Sequence, residues 1–313
     1  MARRTAPDTR PADFHVGPSI QRWLAAQLHA RADALQFETL PGATSSVMLR
    51  VSTGGSEPRS AILRMFTNRD WLAREPDLAH HEAQALRAAS ANGLPVPELI
   101  GVRDEPHGQR GVPCVLMSEL DGAVSLQRNP REGWLVRLAE TLAQIHGAQA
   151  PLFGWNYKTW TRREQLVVPH WTTRPELWMR AMDRFRGGAP DSARVFVHRD
   201  FHPTNVLWRD GEVSGIVDWV NACLGPAGID VAHCRLNLVA MYGIDAAQTF
   251  LEAYRRVRVG YVHDAYWDIE VLLGALPEPT YYAPWQEFGL MPIEPGTLQA
   301  RLEELLGDAC FRV

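Results

Sequence analysis

The stretch of this 313-residue chain that most limits its possible folds is Val195–Trp219, VFVHRDFHPTNVLWRDGEVSGIVDW. A short apolar run, Val195–Val197, enters a polar loop, His198–Asn205. Two brief strands follow, Val206–Trp208 and Val213–Val217, around the turn Arg209–Glu212. Apolar strands therefore grip the loop on both sides, and a freely solvated surface loop would not be framed this way. The arrangement delivers Asp200, Asn205 and Asp218 to one end of a two-strand turn.

Periodicity divides the rest. Residues 1–18 read as a flexible arm, followed by a short amphipathic helix carrying Ile20, Trp23, Leu24 and Leu28 at helical spacing. Three strand-like runs come next: Leu35–Leu40, Val47–Ser52 and Ala61–Phe66. A helix is expected over Asp77–Asn92, with Pro76 before it and Gly93 and Pro95 after it. Two further strands are expected at Glu98–Arg103 and Cys114–Leu120. From Arg131 onward the helical period dominates, with Trp134, Leu135, Leu138, Leu142 and Ile145 on one face. The chain is long enough for two cores, since a single core stops growing at about 250–300 residues. The pattern predicts an α+β protein: an arm at 1–18, a sheet lobe with one helix at 19–120, and a mainly helical lobe at 121–313.

Composition excludes several classes. The net charge of −4 gives no electrostatic case for nucleic-acid or membrane binding. Apolar stretches such as Leu236–Ile244 fall far short of the roughly 20 residues a membrane helix needs. The segment MARRTAPDTRPADFH has no apolar core of a secretion signal, and the four cysteines lack CxxC spacing, so a reducing cytoplasm is expected. Lysine occurs once, at Lys158, so a GK[ST] phosphate loop is impossible and basic roles fall to arginine.

The chemistry follows from the loop. His198-Arg199-Asp200-x-x-x-x-Asn205, with Asp218 thirteen positions on, is the catalytic-loop spacing of kinases. Phosphoryl transfer needs positioning and charge neutralisation more than covalent work. Asp200 suits the carboxylate that orients an incoming hydroxyl and takes its proton. Asn205 and Asp218 offer one neutral and one charged oxygen, a donor set suited to Mg²⁺.

These residues resemble the aminoglycoside phosphotransferase family of kinase-like enzymes. The resemblance is strongest over Phe196–Asp230 and includes Gly225-Pro226 and Gly228-Ile229-Asp230-Val231-Ala232. It implies a bilobal protein-kinase-like fold, ATP or GTP as co-substrate, and a small-molecule hydroxyl as acceptor. It makes Asp230 an anchor of the large lobe near the catalytic loop, with His198 structural beside it. It places Ser118 and Leu120 at a hinge whose backbone bonds adenine. Gly42, Ser45 and Ser46 fall in a glycine-poor phosphate-covering loop, and Arg64 stands where the family usually has a lysine. Arginine keeps the charge but presents a planar fork, so the exchange is not conservative. Glu82 lies on the apolar stripe of its helix with Leu78, Leu86 and Ala89. Buried there it needs a cation, and Arg64 is the natural one; the other reading leaves Glu82 solvated at the stripe's edge.

Other signals carry less. His80-His81-Glu82 has no histidine at the spacing a metal helix requires. His233 reads as a structural histidine and His202 as the donor or acceptor of a loop hydrogen bond. Trp155, Trp160, Trp171 and Trp178 read equally as core and as substrate-facing. Residues 225–313 carry 6 Arg and 12 Asp/Glu, which suits a polycationic acceptor with Asp264, Asp268, Glu270, Glu278 and Glu287 as contributors. The aromatic run Tyr281–Trp285 suits a larger, less charged one such as a macrolide. Trp285 joins Asp264 and Asp268 as an acceptor-site candidate. Choline, homoserine and sugars stay open as acceptors, as does a catalytically idle nucleotide-binding module, and the protein is expected as a monomer or homodimer.

Overall fold

In the computed structural model the described residues are 16–40, 46–54, 59–104, 111–276, 279, 282 and 284–311. They form two compact units, divided at Asp121/Gly122. Residues 1–15 of the expected arm, with Gly42, Ser45, Glu278 and Tyr281, lie outside the described residues.

The first unit opens with α1 (Pro18–Leu28), where Pro18 suits the first turn because its missing N–H has no helical partner there. Val16 is already buried. Ile20, Leu24 and Leu28 repeat every four residues and lie on one sheet face. That antiparallel sheet comprises β1 (Leu35–Thr39), β2 (Val47–Thr53), β3 (Ser60–Met65), β4 (Leu99–Arg103) and β5 (Cys114–Ser118), in the order β1-β2-β3-β5-β4. On β3 the two-residue period puts Ala61, Leu63 and Met65 in the core with α1, which turns Arg64 to the other side. Between β3 and β4 run α2 (Arg69–Arg74) and α3 (Leu78–Ala91). The sequence reading missed α2; its signal is Asn68, whose side chain accepts the N–H of Trp71 as a cap.

The second unit begins with β6 (Ala123–Val124) and α4 (Glu132–Gly147), then α5 (Pro175–Arg186) and β7 (Arg194–Val197). The strands β8 (Val206–Arg209) and β9 (Glu212–Ile216) pair as expected, and β6 extends them in the order β6-β8-β9. A further strand, β10 (Cys223–Pro226), pairs with β7. Five helices complete the unit: α6 (Ala227–Tyr242), α7 (Ile244–Val257), α8 (Ala265–Gly274), α9 (Pro284–Glu287) and α10 (Pro295–Phe311). The close approach of α6 and α8 depends on Gly228: a Cβ there would lie 2.2 Å from a ring carbon of Trp267.

Arg235 on α6 is wholly buried. It donates to Asp268 of α8 at 3.1 Å, to Asp308 of α10 at 3.3 Å and to the carbonyl of Ala247 on α7 at 3.1 Å, so one guanidinium ties four helices. No helix among the described residues is long and apolar enough to cross a membrane. All four cysteines are free, and burial pushes the Cys223 thiol up to about 12.

Candidate active site

The loop after β7 is held by one buried carboxylate. Asp230, in the first turn of α6, accepts the backbone N–H groups of His198 and Arg199, each at 2.7 Å. The same carboxylate lies 3.3 Å from His146 Nε2 in the last turn of α4. His146 Nδ1 is 2.6 Å from the Tyr254 hydroxyl on α7. Asp230 is acceptor-only when ionised, so Nε2–H donates to it and Nδ1 accepts from Tyr254. Burial alone would raise the Asp230 pKa; the His146 hydrogen bond and the loop N–H more than reverse this and hold it below the usual carboxylate range. A chain of partners from α7 through α4 and α6 therefore fixes the loop backbone. Arg199 sits at φ 70°, a conformation uncommon outside glycine and seen where the surroundings impose it.

His198 stitches the loop to the end of β9. Its Nε2–H donates to the Val217 carbonyl at 3.0 Å, and its Nδ1 accepts the Asp200 N–H at 3.3 Å. Burial lowers its pKa, which keeps the ring neutral for both roles. The Asn205 carbonyl accepts the Val217 N–H at 3.0 Å. Asp218, the next residue, stands at φ 67°. Its carboxylate position thus depends on a left-handed backbone at the end of β9, which Asp tolerates better than most residues. The Asn205 amide nitrogen donates to the Asp200 carbonyl at 2.8 Å. A carbonyl only accepts, so this contact fixes the amide orientation and leaves Oδ1 as the atom Asn205 can offer elsewhere.

The Asp200 side chain is flanked by two imidazoles. His233 Nε2, one turn beyond Asp230 on α6, is 3.1 Å from Oδ1, and His202 Nε2 is 3.8 Å from the same atom. His233, expected as a structural histidine, finds its partner in this contact: Asp230 and His233 are three apart on a helix, so the residue that anchors the loop and the residue that meets its carboxylate share a face. Burial would raise the Asp200 pKa, but the His233 hydrogen bond and the neighbouring imidazoles lower it well below the ordinary value. Burial pushes the His202 ring down to about 4, against the opposing pull of Asp200. Asp200 is therefore ionised and His202 neutral near pH 7.

The tryptophan-rich stretch braces the loop. The Arg199 guanidinium lies 3.9 Å from the Trp160 ring centre and 4.9 Å from that of Tyr157, and the Tyr157 hydroxyl bonds Glu270. Trp178 is core, packed edge-on against Trp171.

The acidic candidates for an acceptor site change standing. Asp268 is fully buried between Arg235 and His263, at 3.1 and 3.0 Å, so it belongs to the core and not to a binding surface. Glu270 is 2% exposed and bonded to Tyr157. Asp264 caps α8 through the Tyr266 N–H and pairs with Arg184 at 3.3 Å. Buried Trp285 packs on Tyr282 at 5.9 Å, and Tyr282 in turn lies 6.3 Å from His202, so these rings border the loop; Glu287 is exposed. Net charge along the sequence had no way of reporting that these carboxylates are engaged within the fold.

In the first unit, Arg64 Nη1 donates to Glu82 at 2.7 Å, with both side chains buried, and Arg64 Nε donates to Ser46 Oγ at 2.9 Å. The solvated alternative for Glu82 thus falls. Two prongs of the planar fork reach two partners, which a lysine's single ammonium does less well. Ser118 gives its N–H to the Glu98 carbonyl at 2.8 Å and accepts the Glu98 N–H on Oγ at 2.8 Å, and Leu120 follows two residues after β5 ends.

Comparison with known proteins fits this geometry. A homoserine kinase of Rhodospirillum rubrum is 26% identical over 196 residues, a stretch covering 55% of this chain and 58% of that protein. The chain thus matches little more than half the length of this curated relative. An amicoumacin kinase in complex with AMP-PNP, Ca²⁺ and Ami superposes with TM-score 0.61 at 14% identity, covering 94% of both chains. An aminoglycoside phosphotransferase in ternary complex with ADP and hygromycin B gives TM-score 0.59 at 18% identity, covering 92% of this chain and 98% of the other. These likenesses show the α+β, protein-kinase-like fold. The sequence profile of the phosphotransferase enzyme family matches residues 36–266, from β1 into α8 and across every element that fixes the loop, and this chain belongs to that family.

Proposed function

We propose that the protein transfers the terminal phosphoryl group of ATP, or GTP, to a hydroxyl of a small molecule. The observation that carries this is the Asp200 carboxylate on a loop whose backbone Asp230 clamps, with Asn205 tied both to the Asp200 carbonyl and to Val217, the residue before Asp218. Asp200 orients the acceptor hydroxyl and accepts its proton as the phosphoryl group moves. His233, hydrogen-bonded to Oδ1, keeps the other carboxylate oxygen directed to the acceptor. Asn205 Oδ1 and Asp218 are hard oxygen donors of the kind Mg²⁺ takes, and the amide orientation described above makes that donor set fit. Bound there, the ion would neutralise phosphate charge. Arg64, set by Glu82 and Ser46, is the cation for the nucleotide phosphates, and Gly42 and Ser45, which precede Ser46 in the sequence, are the further phosphate contacts. Ser118 and Leu120 supply backbone to the base.

Engagement of Asp268, Glu270 and Asp264 within the fold favours an acceptor of low positive charge. The homoserine kinase relative supports a small metabolite alcohol, and the rings of Tyr282 and Trp285 support a natural product. The four free cysteines suit the cytoplasm, where the protein would act as a monomer or homodimer.

ADP release with Mg²⁺, measured against small alcohols including homoserine and choline, macrolides and aminoglycosides, tests the reading. At least one acceptor is expected to be turned over, and Asp200→Ala to lower its kcat by about 10²–10⁴-fold. Nucleotide binding with no transfer to any acceptor or to water would make the protein a nucleotide-binding module instead.

A further inference from the structure

The flanks of Asp200 are unusual for a carboxylate whose only task is to receive a proton. Asp200, His202 and His233 each offer one ligand atom, and the three atoms lie within 4.8 Å of one another; His233 Nε2 and His202 Nε2 stand 3.1 and 3.8 Å from Asp200 Oδ1. The two distances to Oδ1, 3.1 and 3.8 Å, bracket the edge of roughly 3.3 Å that a tetrahedral ion bonded at about 2.0–2.1 Å imposes.

The proton inventory points the same way. The Asn205 amide nitrogen, fixed by its bond to the Asp200 carbonyl, also lies 3.2 Å from His202 Nε2. An amide nitrogen only donates, so Nε2 carries a lone pair and the ring proton sits on Nδ1, 2.8 Å from the Thr204 hydroxyl. This Nδ1–H to Thr204 bond is the outer support that orients a metal-binding imidazole. His202 Nε2 and the Asp200 carboxylate thus face each other across 3.8 Å as two acceptors with no proton between them. His202 is buried, while Asp200 and His233 keep about a fifth of their side chains open, so a fourth position stays accessible.

We propose that Asp200, His202 and His233 form a binding site for a borderline-soft divalent cation of the Zn²⁺ class. Three protein ligands and one open position match the accessible sites such ions occupy. Two imidazoles favour Zn²⁺, Cu²⁺ or Ni²⁺ over Mg²⁺, which prefers oxygen. The site is distinct in donor set from Asn205 Oδ1 and Asp218. Binding requires the His233 tautomer with its proton on Nδ1, so the Nε2 proton leaves to solvent as Nδ1 takes one up; it also breaks the contact from the Asn205 amide and engages the carboxylate lone pairs. Resting on the reading of Asp200 as the base, the further consequence is that the ion inhibits transfer.

The test is made on the full chain without nucleotide or acceptor, so its failure leaves the phosphotransferase reading untouched. Zn²⁺ titrated against a chromophoric chelator should bind one equivalent, undiminished by millimolar Mg²⁺, and Co²⁺ should give the visible absorption of a tetrahedral site. His233→Ala and His202→Ala should each weaken Zn²⁺ binding by at least about tenfold, with His29→Ala, an exposed control, unchanged. Should either variant fail to fold, imidazole ¹⁵N spectra of the wild type decide: Zn²⁺ must shift Nε2 of two histidines in a 1:1 step. Equal affinity in wild type and folded His233→Ala, or ¹⁵N shifts confined to exposed histidines, would overturn the site.

Discussion

At the scale of single residues, Asp218 shows how chemistry and backbone depend on each other. Its φ of 67° places it in the left-handed region, where Asp and Asn are tolerated and most other residues are strained. Two roles therefore separate by substitution. Asp218→Asn keeps the backbone preference and removes the charge; Asp218→Ala removes both. Both variants should lose at least about 100-fold in phosphotransfer, because the carboxylate proposed to hold the metal is gone in each. Only the alanine variant should lose stability as well, by about 1 kcal/mol, measured as a shift in the urea midpoint. Equal stability of the two would mean that the backbone at this position is not strained. The placement of Asp200, Asn205 and Asp218 was legible in the sequence because they lie within nineteen residues, on a loop and hairpin whose spacing local geometry dictates. His233 was not, since its approach to Asp200 depends on where α6 is packed, 33 residues on.

At the scale of elements, the first turn of α6 is where packing meets chemistry. Gly228 lets α6 lie against Trp267 of α8, and two residues later Asp230 clamps the loop. A methyl at 228 has to displace a large ring held among α6, α8 and the Tyr157 segment. Gly228→Ala is expected to destabilise the protein by about 1–3 kcal/mol through overpacking. It should also lower kcat more than it raises KM for nucleotide, because it moves Asp230 and His233 and not the first unit. A variant with the wild-type melting temperature and kcat would show that α6 can shift without disturbing the loop. The unequal legibility of elements has similar causes. Helix α3 was foreseen from its stripe and its flanking Pro and Gly. Helix α5 was not expected, although Leu177, Trp178, Ala181, Met182 and Phe185 recur at helical spacing behind Pro175, because Trp155, Trp160 and Trp171 just before it follow no helical period. Strand β10 carries no signal at all: Cys-Leu-Gly-Pro is a strand only because β7 offers it an edge.

At the scale of the whole molecule, the acidic balance of the C-terminal third has a structural use. Arg235 reaches Asp268, Asp308 and the Ala247 carbonyl, while His263 lies 3.0 Å from the other oxygen of Asp268. The group joins α6, α7, α8 and α10 behind the face that bears Asp230 and His233. A buried pair contributes little net stability compared with apolar packing, but removing one partner strands the other charge in a low dielectric. Arg235→Met should therefore cost about 3–5 kcal/mol. For a unit of this size that is a fall of roughly 10 °C in melting temperature. The double variant Arg235→Met/Asp268→Leu removes both charges and should recover a good part of the loss, giving a coupling energy in a double-mutant cycle. Asp268→Asn on its own discriminates between the two readings of this carboxylate. As a core partner of Arg235 it lowers the melting temperature and leaves the ranking of acceptors by kcat/KM unchanged; as an acceptor contact it would reorder that ranking at unchanged stability. The zero exposure of Asp268 decides for the first outcome.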